Sequence, residues 1–203
     1  MLTSNAKDES DKYALTLGRE RALRTVIKEA ANLASFCEHV EHNEPTRTDV
    51  VAHASTQLRR TAQNLASASG LSLKELYASR IRAVEEASFL ATAPLPGNTT
   101  NFDGANAAQK ASTWQHLQTA QLLHDRQFHP DVFGLSKIDQ VRHYTFHVTK
   151  LAGLLAEAID NEDWSAFEQT RLADIAIFAV KTATVCNVRL PETPIDSAEN
   201  SCE

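Results

Sequence analysis

The sequence predicts an all-α protein, a bundle of about six helices, and three observations carry that expectation. Glycine and proline number six each in 203 residues, well below ordinary usage, which leaves few turn positions. Alanine, the best helix former, occurs 30 times, whereas Phe and Tyr together supply 11 residues. Apolar residues recur at intervals of three and four over long stretches rather than at period two. The scarcity of turn formers also disfavours a sandwich or barrel, which needs a turn about every 8–12 residues.

The helices fall into two halves, 1–92 and 112–195, and each is read from its own signals. The first helix, about 11–42, places Leu23, Val26, Ile27, Ala30, Leu33, Ala34 and Cys37 on one face, and Pro45 closes the connection after it. Thr48 opens a second helix, 48–69, carrying Val51, Ala54, Leu58, Ala62 and Leu65, and Gly70 ends it. Ser72 with Glu75 three residues later is a capping box for a third helix, 72–90. Residues 93–111 have the composition of a linker, with two prolines and two glycines between Ala93 and Gly104. A fourth helix, about 112–127, is followed by a connection through Pro130 and Gly134. Ser136 with Asp139 caps a fifth helix, 136–160, whose seam is Val141, Tyr144, Val148, Leu151, Leu155 and Ala158. After a turn at Asn161–Asp163, a sixth helix is expected over 164–186. Its run Ile175–Val180 has no polar residue, which places it centrally in the bundle. Pro191 and Pro194 end regular helix, and 196–203 reads as a frayed tail.

Charge and cysteine usage bound the function. The net charge of −6 belongs wholly to the second half: residues 1–100 carry 12 basic and 12 acidic side chains, residues 101–203 carry 8 and 14. Neither half has the basic excess of a duplex-DNA binder. No apolar run reaches the ~18 residues of a membrane span. Met1–Lys12 is polar and lacks the apolar segment of a signal peptide. Cys37, Cys186 and Cys202 have no CxxC spacing and read as free thiols, so a cytoplasmic location is expected. No Gly-rich phosphate loop, G-x-S-x-G elbow or dinucleotide fingerprint is present.

Two stretches of the second half carry a family likeness. Lys150-Leu151-Ala152-Gly153-Leu154-Leu155-Ala156-Glu157-Ala158-Ile159, an acidic turn, and then Arg171-Leu172-Ala173-Asp174-Ile175-Ala176-Ile177-Phe178 resembles the core of the MazG-like all-α nucleotide pyrophosphohydrolases. Asn187-Val188-Arg189-Leu190, beginning 13 residues after Asp174, is similar to that family's closing turn. Leu65–Leu73 with Tyr77, Ile81 and Glu85 is a fainter echo in the first half, so the resemblance implies two MazG-like halves in tandem. It further implies a site in which paired carboxylates hold Mg²⁺ against a nucleotide's phosphates. The match is degenerate where the chemistry lies. Leu151 and Leu154 replace the first acidic pair, Arg171 replaces the third carboxylate, and Asp174 remains, with Glu157 downstream. In the first half Glu29 and Asn32 keep the i, i+3 spacing, whereas Gln57 stands where an acid is needed. The implied site therefore pools Glu29, Glu157 and Asp174 around Mg²⁺, on a nucleotide or another phosphate-bearing small molecule. An ion pair of Asp174 with Arg171 or Lys181 is the structural alternative.

The histidines are the other concentration of chemistry. His116, His124, His129, His143 and His147 fall within 32 residues. His143 and His147, four apart on a helix, project to one side and suit Zn²⁺ with His129 or His124 as third ligand; hydrogen bonding across the bundle is the plainer role. His124-Asp125 invites comparison with HD-domain phosphohydrolases, but His116 is too close to supply that family's upstream ligand. Arg142 to His147 matches the R-x4-H pattern of HEPN-type ribonucleases, with His147 as general acid or base and Arg142 stabilising phosphate charge. Residues five apart on a helix diverge by about 140°, which weighs against it.

The leading expectation is a MazG-like helical protein that binds a nucleotide or retains a pyrophosphohydrolase activity. Its catalytic candidates are Glu29, Glu157 and Asp174, with Glu157, Asp174, His143 and His147 as the metal neighbourhood for Mg²⁺ or, second, Zn²⁺. The alternatives are a metal-independent ribonuclease using Arg142 and His147, and a non-catalytic interaction protein that buries an apolar patch in a homo-oligomer.

Overall fold

The computed structural model describes residues 3–42, 44, 48–91 and 103–196. Among these it is all-helical: α1 (Thr3–Glu41), α2 (Thr48–Ala68), α3 (Leu73–Ala91), α4 (Gly104–Lys110), α5 (Trp114–Phe128), α6 (Pro130–Phe133), α7 (Lys137–Asp160), α8 (Trp164–Thr170) and α9 (Leu172–Val185). The one bridge among them is Thr113 to Pro194, and no helix is long and apolar enough to cross a membrane.

Helices α1, α2, α9 and α7 pack in that cyclic order, each on the next. Val26 and Leu33 of α1, Val51 and Leu58 of α2, Val148 and Leu155 of α7, and Leu172, Ile175 and Val180 of α9 are buried in one core, so both halves of the chain contribute to it. Burying a side chain of this size stabilises by about 1.5–3 kcal/mol. α9 is central, as its unbroken apolar run requires: it touches α2, α3, α5, α7 and α8.

The ends are made by the residues whose chemistry demands it. Glu75 N–H donates to Ser72 Oγ at 3.2 Å, and Asp139 N–H to Ser136 Oγ at 3.2 Å. Gly70 sits at φ +68, letting Leu71 N–H reach back to Ala66 O at 2.8 Å and close α2. Asn187, at φ 58, ends α9 in the same manner, with Val188 N–H on Ala183 O at 2.8 Å.

Several boundaries differ from the expectation. The first helix starts at Thr3 rather than near Asp11, running unbroken through Ser10, Asp11 and Gly18 into the amphipathic body. Of the expected linker, 93–102 lies outside the described residues, but Gly104–Lys110 is helical: Asp103 caps it by accepting from Asn106 N–H, and Ala105 and Ala108 are buried. The connection after α5 contains a turn of helix, α6, started by Pro130 at the position where its missing N–H costs nothing. The sixth helix is two, broken at Arg171 (φ −129). In an unbroken helix Arg171 would follow Trp164 and Phe167 on the buried stripe; the break turns it toward Asp174 and puts Leu172, fully buried, in the core instead.

Asp196, expected to open a frayed tail, is held against the start of α3. Ile195 is buried and its carbonyl accepts from Gln63 Nε2 at 2.6 Å, while Asp196 accepts from Ser72 Oγ and from Lys74 N–H at the start of α3. Residues 197–203, Cys202 among them, lie outside the described residues.

Candidate functional site

The buried stripes of α5, α7 and α9 change character along their length. On α5 the stripe runs Trp114, Leu117, Gln121, His124, all 2% exposed or less, so it begins apolar and ends polar. On α7 His143 and His147 flank the stripe of Tyr144, Val148 and Leu151. On α9 Asp174 and Lys181, seven apart, rise from the same apolar helix and are each under a tenth exposed. With α3, which supplies Arg80, these polar ends enclose a cavity of about 230 Å³.

Basic groups dominate its wall. Arg80, Lys150, Arg171 and Lys181 line it, against Asp174 as the one lining carboxylate among the described residues. Asp174 is held by Arg80, Nε to Oδ1 at 2.6 Å, and by Arg171, Nη1 to Oδ2 at 3.5 Å. Lys181 Nζ reaches Asp125 Oδ1 at 2.8 Å just behind the wall. Counting Asp125 with its partner, four cations face two anions, a surplus of two positive charges.

Four of the five clustered histidines, His124, His129, His143 and His147, also line the cavity. His147 stacks on Phe178 with centroids 4.5 Å apart, and its ring meets that of His143 at 4.7 Å. Burial, reinforced by the Lys181 ammonium, lowers the His124 imidazole to about 3, and burial likewise lowers His129 and His147. These rings are neutral near pH 7, each with one N–H to donate and one lone pair to offer.

A buried polar chain supports this wall. Tyr77 Oη donates to Gln121 Oε1 at 2.6 Å, and Gln121 Nε2 donates to Asp125 Oδ1 at 2.8 Å. Burial pushes the Tyr77 phenol well above its usual range, so it keeps the proton that it donates to Gln121. His124 Nδ1 lies 3.2 Å from Glu85 Oε1, which also accepts from Gly104 N–H at 2.9 Å. Burial pushes the Glu85 carboxyl up. A Cβ at residue 104 would stand 2.6 Å from Glu85 Oε1 and 3.0 Å from His124 Nδ1, so glycine is required for this approach.

No family model, curated protein or solved structure matches this chain.

The expected site residues part company. Asp174, His143 and His147 share the cavity. Glu157 is exposed and lines a separate depression with Asn161 and Asp163. Glu29 is 1% exposed between α1 and α2, accepting from Asn32 Nδ2 at 2.7 Å with His53 Nε2 at 3.6 Å, and is not on the cavity. Arg142 is also off its wall, held by Asp139 at 2.5 Å and by Glu41. The pooled carboxylate trio thus does not converge, and Arg142 does not share a surface with His147. Asp174 makes the expected ion pair with Arg171 but takes Arg80, not Lys181, as its closer partner.

Sequence reasoning missed Arg80, Lys150 and Lys181 as site residues. Each is the single basic group on a helix face, and their grouping exists only through space. Asp125 and Glu85 enter the sequence reading only through the His124-Asp125 pairing and the first-half echo; the roles they take here follow from burial beside a lysine and a histidine.

Proposed function

We propose that this chain binds a compact phosphate-bearing small molecule in the cavity between α3, α5, α7 and α9. The observation that carries the reading is the wall itself: four basic side chains, one lining carboxylate and four histidines around about 230 Å³. That volume lies just below the roughly 300–1,000 Å³ of ordinary ligand sites, so the fit is to a phosphate monoester or the phosphate end of a nucleotide. Arg80 and Arg171 offer forked N–H donors, Lys150 at the exposed rim offers a steering charge, and the neutral imidazoles donate without adding charge.

Binding is better supported than MazG-like Mg²⁺-dependent hydrolysis. Mg²⁺ wants clustered oxygen ligands, and here Glu29 and Glu157 lie away from Asp174, which two arginines already engage.

Calorimetry with inorganic phosphate, phosphate monoesters and nucleoside mono- and triphosphates tests the reading. Expected is saturable binding of at least one phosphate compound, weakening as salt rises, and reduced about tenfold by Lys150→Glu. Silence across the panel, or binding indifferent to Lys150→Glu and to salt, refutes it.

A further inference from the structure

We infer that His124, Asp125 and His129 form a binding site for a first-row divalent cation of the Zn²⁺ class. Their ligand atoms lie within 4.8 Å of one another, and this is the one group of three or more His, Cys, Asp or Glu so placed among the described residues. It differs from the His143–His147 pair that helical spacing singles out.

The arrangement arises from the end of α5. His124 and Asp125 occupy its last turn, and His129 is the capping residue past it, its backbone N–H still bonded to Asp125 O at 2.9 Å. That cap turns the chain (φ −133, ψ 49) and brings the His129 ring to 5.7 Å from the His124 ring. Tetrahedral ligands about 2.0–2.1 Å from an ion stand about 3.4 Å apart. His129, beyond the last helical residue and only half-buried, is the group free to swing inward by the remaining ångström or so.

Each ligand is already set for the task. The Glu85 carboxylate takes the Nδ1 side of His124, leaving Nε2 for an ion, and a carboxylate behind a ligating imidazole is the usual second layer of a metal centre. Asp125 Oδ1 accepts from Gln121 and Lys181, which leaves Oδ2 for an ion. Two imidazoles and one carboxylate favour Zn²⁺ or Co²⁺ over Mg²⁺ or Ca²⁺, which demand oxygen. Three protein ligands leave a further position open toward the cavity that His124 and His129 line. The site stands on these groups whether or not the cavity takes a phosphate.

The test uses the full chain, stripped with chelator and titrated with Zn²⁺ against a chromophoric competitor, and separately with Co²⁺ followed by visible absorption. Expected is one equivalent bound at micromolar Kd or tighter, with Co²⁺ bands of a low-coordinate nitrogen–oxygen site, and no competition from millimolar Mg²⁺. His129→Ala and the milder His129→Gln, each checked for folding by circular dichroism, should lose at least thirtyfold in affinity. The pair His143→Ala/His147→Ala and exposed His116→Ala should retain it. Absence of stoichiometric binding overturns the inference; so does loss that follows His143 and His147 instead of His129.

Discussion

Replacing Asp174 by Asn separates the stability of the cavity from its affinity for anions, and the two should move in opposite directions. The carboxylate is 7% exposed and bridges Arg80 and Arg171, whose side chains are 33% and 39% exposed. Breaking a buried ion pair costs about 3–5 kcal/mol. Here both arginines can turn toward solvent and Asn keeps an acceptor oxygen for Arg80, so the loss should be nearer 1–2 kcal/mol, read from urea unfolding. The same change removes the one negative charge on the wall. At an effective dielectric of about 20, unit charges about 6 Å apart interact by roughly 2.8 kcal/mol. Screening by salt and by the two arginines halves this, which corresponds to about tenfold tighter binding of phosphate. If Asp174 instead ligated a metal or served a reaction, Asp174→Asn would weaken binding as well as stability. Weaker or unchanged phosphate affinity in a folded Asp174→Asn protein would therefore refute the electrostatic argument.

Two further outcomes test other parts of the structure. Gly104→Ala forces a Cβ against Glu85 Oε1 and His124 Nδ1, and an overpacked contact of that kind should cost about 1–3 kcal/mol in chemical denaturation, whereas an unchanged midpoint would place the Glu85–His124 pair elsewhere. Burial pushes the Cys186 thiol up to about 11 from an ordinary 9, so at pH 8 its thiolate fraction, and its alkylation rate by iodoacetamide, should fall about a hundredfold below a free thiol, recovering in denaturant; rapid labelling of Cys186 in native protein, located by mass spectrometry, contradicts its burial.

Much of the fold is legible in local chemistry. Ser72, Ser136 and Gly70 stop or start helices at the places their side chains or lack of one dictate, and the polar-free run of α9 announces its central position. The break at Arg171 is not legible, because the propensities of residues 164–186 favour one helix; only the surrounding core decides that Leu172 enters and Arg171 leaves. The site divides in the same way. Histidine spacing brings attention to the right cavity: His143 and His147 reach it from one side of α7, and His124 and His129 from the last turn of α5 and the cap past it. The basic wall comes from α3, α7, the turn before α9, and α9 itself, and no window of sequence contains it. Glu29 and Glu157 fit a motif by spacing, yet a spacing matters only if the helices bring the two faces together, and here each carboxylate belongs to a different surface.

The position of α9 has a kinetic meaning. A helix enclosed by five others cannot move away from any one of them without exposing the rest of the core, so its amides exchange only when the whole bundle opens. Asp174, Ile177 and Lys181 ride on that helix and form the cavity floor. The floor is therefore as rigid as the protein itself, whereas His129, the cap past α5, and Val132 of the four-residue α6 line the same cavity from short, locally held elements. If the cavity binds a phosphate compound as proposed, its selectivity rests on that unyielding floor.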